Sequence, residues 1–356
     1  MRLYLLCVEI KKMRLSKKLK ACKEIFKIKM FGKRMPLAVT WSITDRCNFQ
    51  CYYCGRWKMS TQELSTDDAM ALISGLANAR CLRIVFGGGE PLLRKDIGLL
   101  IDFCKKKGIS TGLISNGYFL AERIDEIRNI DTLALSIDGI GGVCDFIRGT
   151  SGAYENVVAA IKIARKKKIR VILNTVLTRY NLDQVDLIIE FATKHGAGVM
   201  FGPVSSIHFG GSAIDSLVPG KSEFRNIIDT LVGYKKDKKP ILNSLAALHY
   251  MHDWPYYKQI PCYAGRVFCH ISANGSFYPC VALEGSVTAS CLRHDFSEVL
   301  EAVSHKTRHC NGCWCTGTLE FNQMLSLKLT ALMSILHFAT SPPKIRNRRI
   351  HEPCKI

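Results

Sequence analysis

Residues 37–54 read LAVTWSITDRCNFQCYYC. The first part, residues 37–43, is apolar and typical of a buried strand. Three cysteines follow at once, Cys47, Cys51 and Cys54, with the spacing C-x3-C-x2-C. Soft thiolate ligands select iron–sulfur or zinc sites. Three thiolates this close in sequence can hold three irons of a [4Fe-4S] cube and leave the fourth iron open for chemistry, whereas a structural zinc site normally needs a fourth protein ligand.

The composition limits the class of protein. The chain has 356 residues, which suits one large domain or two at about 150 residues per domain. The apolar run at the start is too short for a secretory signal, so we expect the 16 cysteines to be thiols or metal ligands in a reducing, cytoplasmic compartment. No stretch reaches about 18 consecutive apolar residues, and no transmembrane helix is expected.

The net charge of +20 is concentrated at the two ends of the chain. Residues 1–36 carry 12 Lys or Arg against 2 Glu, and residues 344–356 carry 5 against 1. The N-terminal segment also has an amphipathic helical pattern, which suits an anionic membrane surface, RNA, or a solvated helix that packs one face on the domain. The apolar positions of this pattern are Leu15, Leu19, Cys22, Ile25, Phe26 and Met30.

From residue 37 onward, short apolar runs alternate with segments of helical period. Strands are predicted over 37–44, 81–86, 109–115, 131–137, 169–177 and 198–203. Helices are predicted over 65–79, 94–107, 118–129, 153–168, 182–195 and 222–236. Six such units indicate a parallel sheet covered by helices. Because a closed barrel needs eight, the predicted fold class is α/β, a partial (β/α)6 barrel of parallel strands with a small C-terminal cysteine-rich hairpin and helix domain.

Polar and glycine residues gather where the predicted strands end. The carboxyl ends of parallel strands meet at one edge of a sheet, and ligands bind there in this class of fold. The cysteine loop follows the first strand. The groups that follow later strands are GGGEP at 87–91, SNG at 115–117, Ser136 with Asp138, and Asn174.

In order and register, residues 37–205 resemble the radical S-adenosylmethionine (SAM) superfamily. The most specific element is CNFQCYYC, followed one βα unit later by GGGEP. The resemblance implies that Cys47, Cys51 and Cys54 bind a [4Fe-4S] cluster and that the amino and carboxylate groups of SAM chelate its open iron. It also implies that reductive cleavage of SAM yields a 5′-deoxyadenosyl radical, which abstracts a hydrogen atom from the substrate.

The same resemblance assigns further residues to SAM. Gly88, Gly89 and Glu90 form the turn that holds the methionine amino group, where glycine lets the backbone approach the ligand. Tyr53 takes the position that contacts adenine, and Arg148 can pair with the SAM carboxylate. An ordinary turn, a packed loop aromatic and a surface-loop arginine are the alternatives. The positions that match contacts to the methionine end or the ribose are Asn116, Ser136 and Asp138.

A second group of cysteines follows the predicted barrel, at Cys262, Cys280, Cys310 and Cys313. The first two bracket an Asn-Gly turn at 274–275, which predicts a hairpin that can bring both thiols to one end. Four thiolates in two pairs can ligate a second [4Fe-4S] cluster or a structural zinc ion.

The spacing C-x12-G-x4-C, then C-x2-C, resembles the auxiliary-cluster extensions called SPASM and twitch domains, which implies a second [4Fe-4S] cluster. The full SPASM pattern continues with cysteines where this chain has Leu319 and Gln323, so the single-cluster twitch form is favoured. Cys315 is an alternative to Cys313 as a ligand. Of the other cysteines, Cys269, Cys291, Cys315 and Cys354 are candidates for a further cluster, and Cys81, Cys104 and Cys144 are expected to be small core residues.

These patterns divide the chain into four predicted regions. They are a basic amphipathic helix region at 1–36, the radical SAM partial barrel at 37–240, the twitch-like or SPASM-like auxiliary domain at 241–320, and an apolar helix with a basic tail at 321–356.

The resemblance implies an oxidoreductase or maturase that acts on a peptide, a sugar-like alcohol or a cofactor precursor, with a reductant such as ferredoxin or flavodoxin. No residue can be assigned as the general base. A second interpretation is a lipid or isoprenoid substrate with peripheral membrane contact, which the basic N-terminus, the apolar stretch 324–338 and a similarity of residues 152–171 to radical SAM proteins of hopanoid assembly support. A third is a basic RNA-binding protein with structural metal sites, but few aromatic residues lie among the N-terminal lysines, and nucleic acid is not favoured.

Overall fold

The structure, a computed structural model, describes residues 34–204, 216–254, 260–285, 289–290, 296–304, 312–313 and 315–326. The predicted N-terminal helix, the basic tail and most of the apolar helix predicted over 324–338 lie outside these residues. Cys291, Cys310 and Cys354 also lie outside them. Among the described helices, none is both long and apolar enough to cross a lipid bilayer.

The described part of the chain alternates strands and helices. Its strands are β1 (Ala38–Thr44), β2 (Arg83–Gly88), β3 (Ser110–Ser115), β4 (Thr132–Ser136), β5 (Val171–Leu177), β6 (Gly198–Pro203), β7 (Phe268–Ile271), β8 (Ser276–Tyr278) and β9 (Ala289–Ser290). Its α-helices are α1 (Thr66–Asn78), α2 (Ile97–Lys106), α3 (Leu120–Arg123), α4 (Gly142–Arg148), α5 (Ala153–Lys166), α6 (Val185–Lys194), α7 (Lys221–Lys236), α8 (Leu245–His252), α9 (Phe296–Ser304) and α10 (Thr316–Leu325).

All nine described strands form one sheet, in the order β6-β5-β4-β3-β2-β1-β7-β8-β9. β1 to β6 are parallel, and each pairs with its neighbours in the chain, as in a barrel. This confirms the predicted α/β class and partial (β/α)6 barrel. β7 extends the sheet by pairing in parallel with β1, Ala38 opposite Phe268, and antiparallel β8 and β9 follow it.

The two faces of the sheet bury different sets of apolar side chains. Val39, Trp41 and Ile43 of β1 point to the outer face, into the main core beneath the helices. Alternate residues point to the inner face, because side chains alternate along a strand. There a second apolar cluster takes one residue from most strands and is filled by α10. Its members include Ala38, Val85, Ala134, Ile172, Met200, Phe268 and Phe321.

Local signals set most of the helix boundaries. The hydroxyl of Ser65 accepts a hydrogen bond from the backbone N–H of Asp68 at 3.1 Å and so caps α1. α2 ends after its lysines, and Gly108 follows with a φ of +77°, which suits glycine.

Within the predicted barrel, residues 37–240, two helices differ from the sequence prediction, and α8 and α9, which follow the barrel, were not predicted. The helix predicted over 118–129 is only the four-residue α3, because the Arg123 guanidinium turns back to donate hydrogen bonds to the carbonyls of Leu92, Arg94 and Lys95. The chain then continues as turns. The prediction also missed α4, whose seven residues lie between Gly141 and Gly149, both with positive φ. α4 packs against the cysteine loop, so its position matters for the site.

Candidate active site

The cysteine loop leaves the carboxyl end of β1 and folds into a compact turn. The backbone N–H of Cys54 donates to the carbonyl of Cys51 at 3.0 Å, and the N–H of Phe49 donates to Cys47 Sγ at 3.4 Å. The three cysteines pack with Phe49, Tyr53 and Ala153 in a small apolar cluster. The three predicted ligands therefore lie together on one loop, shielded from bulk water on the Phe49 side.

The donor set fits an iron–sulfur cluster. Burial, with a smaller contribution from the neighbouring cysteine thiols, raises the pKa of the Cys47 thiol to about 11 and that of the Cys51 thiol to about 12. An iron that binds these sulfurs therefore displaces a proton from each. Among the described residues no three His, Cys, Asp or Glu side chains are close enough to hold a single metal ion. A four-iron cube does not require that closeness, because each iron takes its own thiolate.

The glycine turn after β2 docks directly on the start of this loop. The backbone N–H groups of Gly89 and Glu90 donate to the carbonyls of Thr44 and Arg46, both at 2.8 Å. A Cβ on Gly89 would lie 2.1 Å from the Arg46 carbonyl oxygen, and one on Gly88 would lie 2.2 Å from that of Thr44. The glycine backbone thus packs directly against the cysteine loop, and this contact leaves no room for a side chain. The turn and the loop are fixed to one another through their backbones.

Glu90 ties the glycine turn to the end of β3. Its carboxylate accepts hydrogen bonds from the Ser115 hydroxyl at 2.9 Å and from the backbone N–H of Asn116 at 2.8 Å. Burial raises the pKa of Glu90 to about 6, although these hydrogen bonds oppose the shift. The Asn116 amide in turn donates to Asn48 Oδ1, inside the cysteine loop, at 2.8 Å. Asn48 was not predicted as a site residue, and its type gives no signal in the sequence.

Tyr53, Asp138 and Arg148 form a second hydrogen-bonded group beside the loop. The Tyr53 hydroxyl donates to Asp138 Oδ2 at 2.7 Å, and Arg148 Nη1 donates to the Tyr53 oxygen at 2.7 Å and to Asp138 Oδ2 at 3.1 Å. The other Asp138 oxygen accepts the backbone N–H of Val176 at 2.8 Å. Arg148 is buried, not a surface-loop arginine, and its Nε has no hydrogen-bond partner among the described residues. Ser136, which was also predicted to contact SAM, lies at the end of β4 and is mostly buried. It belongs neither to the Glu90 hydrogen-bond group nor to the Tyr53–Asp138–Arg148 group.

A buried ionic network joins the cysteine loop to the C-terminal part of the chain. Arg56 Nη1 donates to Asp45 Oδ1 at 2.6 Å, and its Nη2 donates to Glu284 Oε2 at 2.5 Å. The same Glu284 oxygen lies 3.0 Å from Nε2 of His270 on β7, whose Nδ1 lies 2.8 Å from the Thr40 hydroxyl on β1. None of these residues was predicted. Two of the contacts, Arg56 with Glu284 and Thr40 with His270, join residues more than 200 positions apart, so no local pattern signals the network.

The described auxiliary cysteines lie around the β7–β8 hairpin and the start of α10. The predicted Asn-Gly turn joins β7 to β8, with Gly275 at a φ of +80°, and Cys280 follows β8. Burial, with smaller contributions from the neighbouring Cys315 and Cys262 thiols, raises the pKa of Cys280 to about 12. Cys313 is half-buried, and its backbone N–H donates to the Tyr250 hydroxyl at 3.0 Å. Three of the four predicted ligands are thus described, together with the alternative Cys315, while Cys310 lies outside the described residues.

The remaining cysteines of the described part belong to the apolar core. Cys81, Cys104, Cys144 and Cys269 all lie in the main core cluster. Leu319 also lies there, and Gln323 is buried on the same helix. The two positions where the full SPASM pattern has cysteines are therefore buried positions of α10.

Comparison with known proteins gives concordant results. Residues 41–192 match the family model of the radical SAM superfamily. The chain is 27% identical over 293 residues to the AdoMet-dependent heme synthase of Methanosarcina barkeri, covering 75% of this chain and 82% of that one. It is 29% identical over 264 residues to the PqqA peptide cyclase of Bradyrhizobium diazoefficiens, covering 70% and 68%.

A solved structure shares the fold. The crystal structure of Streptococcus suis SuiB bound to S-adenosylmethionine superposes with a TM-score of 0.64 at 16% identity, covering 79% of this chain and 69% of that one. The cysteine loop at the carboxyl edge of the barrel, the glycine turn that fixes it and the family match all agree. Residues 41–192 thus form a radical SAM domain, and the comparisons indicate an iron–sulfur-dependent radical enzyme.

Proposed function

We propose that this enzyme uses Cys47, Cys51 and Cys54 to hold a [4Fe-4S] cluster, binds SAM at the open iron and modifies a peptide substrate. The observation that carries the proposal is the docking of the three-thiol loop on the Gly88–Gly89 turn, at the carboxyl ends of the barrel strands. SAM bound to such a cluster supplies a 5′-deoxyadenosyl radical that abstracts a hydrogen atom. The protein's own residues hold, orient and enclose the bound SAM.

The Tyr53–Asp138–Arg148 group is proposed to bind SAM. Arg148 uses Nη1 for Tyr53 and Asp138, while its buried Nε has no hydrogen-bond partner among the described residues. A buried donor without a partner costs free energy, and a SAM carboxylate placed there would remove that cost. Both carboxylate oxygens of Asp138 already accept hydrogen bonds from protein groups, so we propose that Asp138 positions Tyr53 and Arg148. Glu90 and Asn116 hold the turn and the loop in place.

We also propose an auxiliary [4Fe-4S] cluster held by Cys262, Cys280, Cys310 and Cys313, with Cys315 as the alternative fourth ligand. The support is the convergence of the first pair and the start of α10 at one end of the β7–β8 hairpin. A structural zinc ion is the competing occupant of the same donor set.

A peptide is the favoured substrate because relatives along most of the chain include a PqqA peptide cyclase and a mycofactocin maturase. A cofactor precursor is the second candidate, which the heme synthase relative supports. The RNA interpretation rests on the N-terminal segment, which lies outside the described residues, and the lipid interpretation rests on the N-terminal segment, the apolar stretch 324–338 and the similarity of residues 152–171; neither is favoured. A small redox protein such as ferredoxin or flavodoxin is proposed as the electron donor.

The decisive experiment measures 5′-deoxyadenosine release by the reconstituted, reduced enzyme with peptide, polar-metabolite and lipid extracts in parallel. We expect stimulation by the peptide fraction, while stimulation by polar metabolites or lipids would replace the peptide assignment. About eight irons per chain are expected from two four-iron clusters. The triple variant C47A/C51A/C54A should release no 5′-deoxyadenosine and keep about four irons. Release by that variant would overturn the proposal.

A further inference from the structure

Helix α10 is buried along its whole length, although half of its residues are polar. All ten residues from Thr316 to Leu325 are buried. Burying a polar side chain is unfavourable unless it finds a hydrogen-bond partner. The hydrogen-bond partners of these polar residues therefore indicate which groups the helix stabilises.

Two polar residues on one face of α10 contact the auxiliary cysteines. Thr318 Oγ1 lies 3.9 Å from Cys280 Sγ, and Asn322 Nδ2 lies 3.8 Å from Cys313 Sγ. Residues four apart lie one above the other on a helix, so the two contacts form a single row. Thr318 is 5% exposed and Asn322 is 1% exposed, so water does not compete for either group.

The direction of both hydrogen bonds follows from the chemistry. A cysteine that ligates a metal is a thiolate and has no proton to give, so the Thr318 hydroxyl must donate. The Asn322 oxygen accepts the backbone N–H of Tyr263, the residue after Cys262, at 3.0 Å. That contact fixes the orientation of the amide and turns its NH₂ group toward Cys313. Asn322 thus connects the chain at the first cysteine to the sulfur of the last.

We infer that Thr318 and Asn322 are hydrogen-bond donors to the thiolate ligands of the auxiliary cluster and raise its reduction potential. Reduction adds one electron to the [4Fe-4S]²⁺ cluster and gives [4Fe-4S]⁺, with no bond formed or broken. The extra negative charge is shared by the sulfurs, and donors aimed at those sulfurs stabilise the reduced state. The two residues are positioning residues, because they act on the cluster through its ligands. The inference rests on the proposed function, namely on the second cluster.

The test is a redox titration of the reconstituted full chain, with dithionite as the reductant and electron paramagnetic resonance as the readout. Thr318→Val and Asn322→Leu should each move the midpoint potential of the auxiliary cluster to a more negative value, and the double variant should move it further. Thr318→Ser keeps a hydroxyl and should restore the wild-type potential. The potential of the cluster at Cys47, Cys51 and Cys54 should not change in any variant.

Thr316→Val is the matched control. Thr316 lies on the same buried helix, and its hydroxyl is directed to the Phe201 carbonyl at 3.4 Å, not to a sulfur. The control loses a comparable polar contact and should leave the auxiliary potential unchanged. An equal shift in Thr316→Val, or no shift in Thr318→Val and Asn322→Leu at full iron content, would overturn the inference and leave the second cluster standing. About four irons in the wild-type chain, with a single signal, would instead remove the second cluster and the inference with it.

Discussion

At the scale of single residues, Asp138 shows how one buried carboxylate fixes side chains from distant parts of the chain. It holds Tyr53 and Arg148 through Oδ2 and the backbone of β5 through Oδ1. The Arg148 guanidinium is its described cationic partner. A buried carboxylate that loses its cation destabilises the fold strongly, because nothing else compensates the charge.

We therefore expect Arg148→Met to lower the free energy of unfolding by roughly 3–5 kcal/mol, measured by anaerobic urea denaturation. Tyr53→Phe is the control, because it removes one hydroxyl from the same group and should cost about 1 kcal/mol. Arg148→Met should also abolish SAM binding, measured by equilibrium dialysis. Equal losses of stability in the two variants would contradict the assignment of Arg148 as the counterion of Asp138.

Glu284 carries a pH dependence whose sign follows from its partners. Burial opposes its ionisation, but hydrogen bonds from His270 and Arg56 outweigh burial and hold the pKa of this carboxyl well below its usual range. A carboxyl with a lowered pKa stabilises the fold fully above its unfolded pKa of about 4.3, and this stabilisation is lost as the pH falls toward the folded pKa.

Glu284→Gln should thus reduce the free energy of unfolding by about 3 kcal/mol at pH 7, and the gap to the wild type should narrow below about pH 4. Urea unfolding across this pH range measures both effects. Glu63→Gln is the matched control, because its partner Arg46 is largely exposed and the pair contributes at most about 1 kcal/mol. A gap that stays constant into acid would show that the Glu284 charge does not stabilise the fold.

At the scale of elements, the glycine turn after β2 and the cysteine loop after β1 form one rigid unit. A Cβ on Gly89 would lie 2.1 Å from a backbone oxygen of the loop, and neither backbone can move without breaking the hydrogen bonds that join them. Gly89→Ala should therefore displace the loop and lower the iron content from about eight to about four per chain.

Gly233→Ala in α7 is the control for this substitution, because among the described residues no atom outside its own helix lies within 4 Å of the added Cβ. It should keep full iron content and gain slightly in stability, since alanine favours helix over glycine. Full iron content in Gly89→Ala would mean that the loop can adapt to the turn.

The local sequence pattern was sufficient to predict the strands, but it was insufficient to predict the contacts between them. The six barrel strands begin and end within two residues of their predicted bounds, and the Asn-Gly turn forms the predicted hairpin. The helix at α3 was predicted too long because Arg123 donates hydrogen bonds to three backbone carbonyls, and hydrophobic periodicity does not reveal such contacts. Arg56, His270 and Glu284 were missed for the same reason. Their roles arise only when β7 pairs with β1, which a single sequence does not specify.

At the scale of the whole molecule, the sheet crosses the boundary predicted at residue 240. β7 lies after that boundary, yet it pairs with β1 over four residues. Phe268 and Phe321 enter the inner apolar cluster together, with ring centroids 5.6 Å apart. The ionic network through Glu284 and Arg56 also spans the boundary. The division into barrel and auxiliary domain remains a prediction about folding, and it can be tested directly.

We expect a fragment of residues 1–260 to fail to fold cooperatively. Without β7 the edge of β1 is unpaired, and without α10 the inner face of the sheet exposes its apolar cluster to water. Size-exclusion chromatography and urea unfolding followed by circular dichroism should show aggregation and no sharp transition. A fragment of residues 1–326 keeps β7, the hairpin and α10, and it should unfold cooperatively as a monomer. A monomeric, cooperative 1–260 fragment would show that the barrel folds independently, and it would assign β7 and α10 to the auxiliary domain alone.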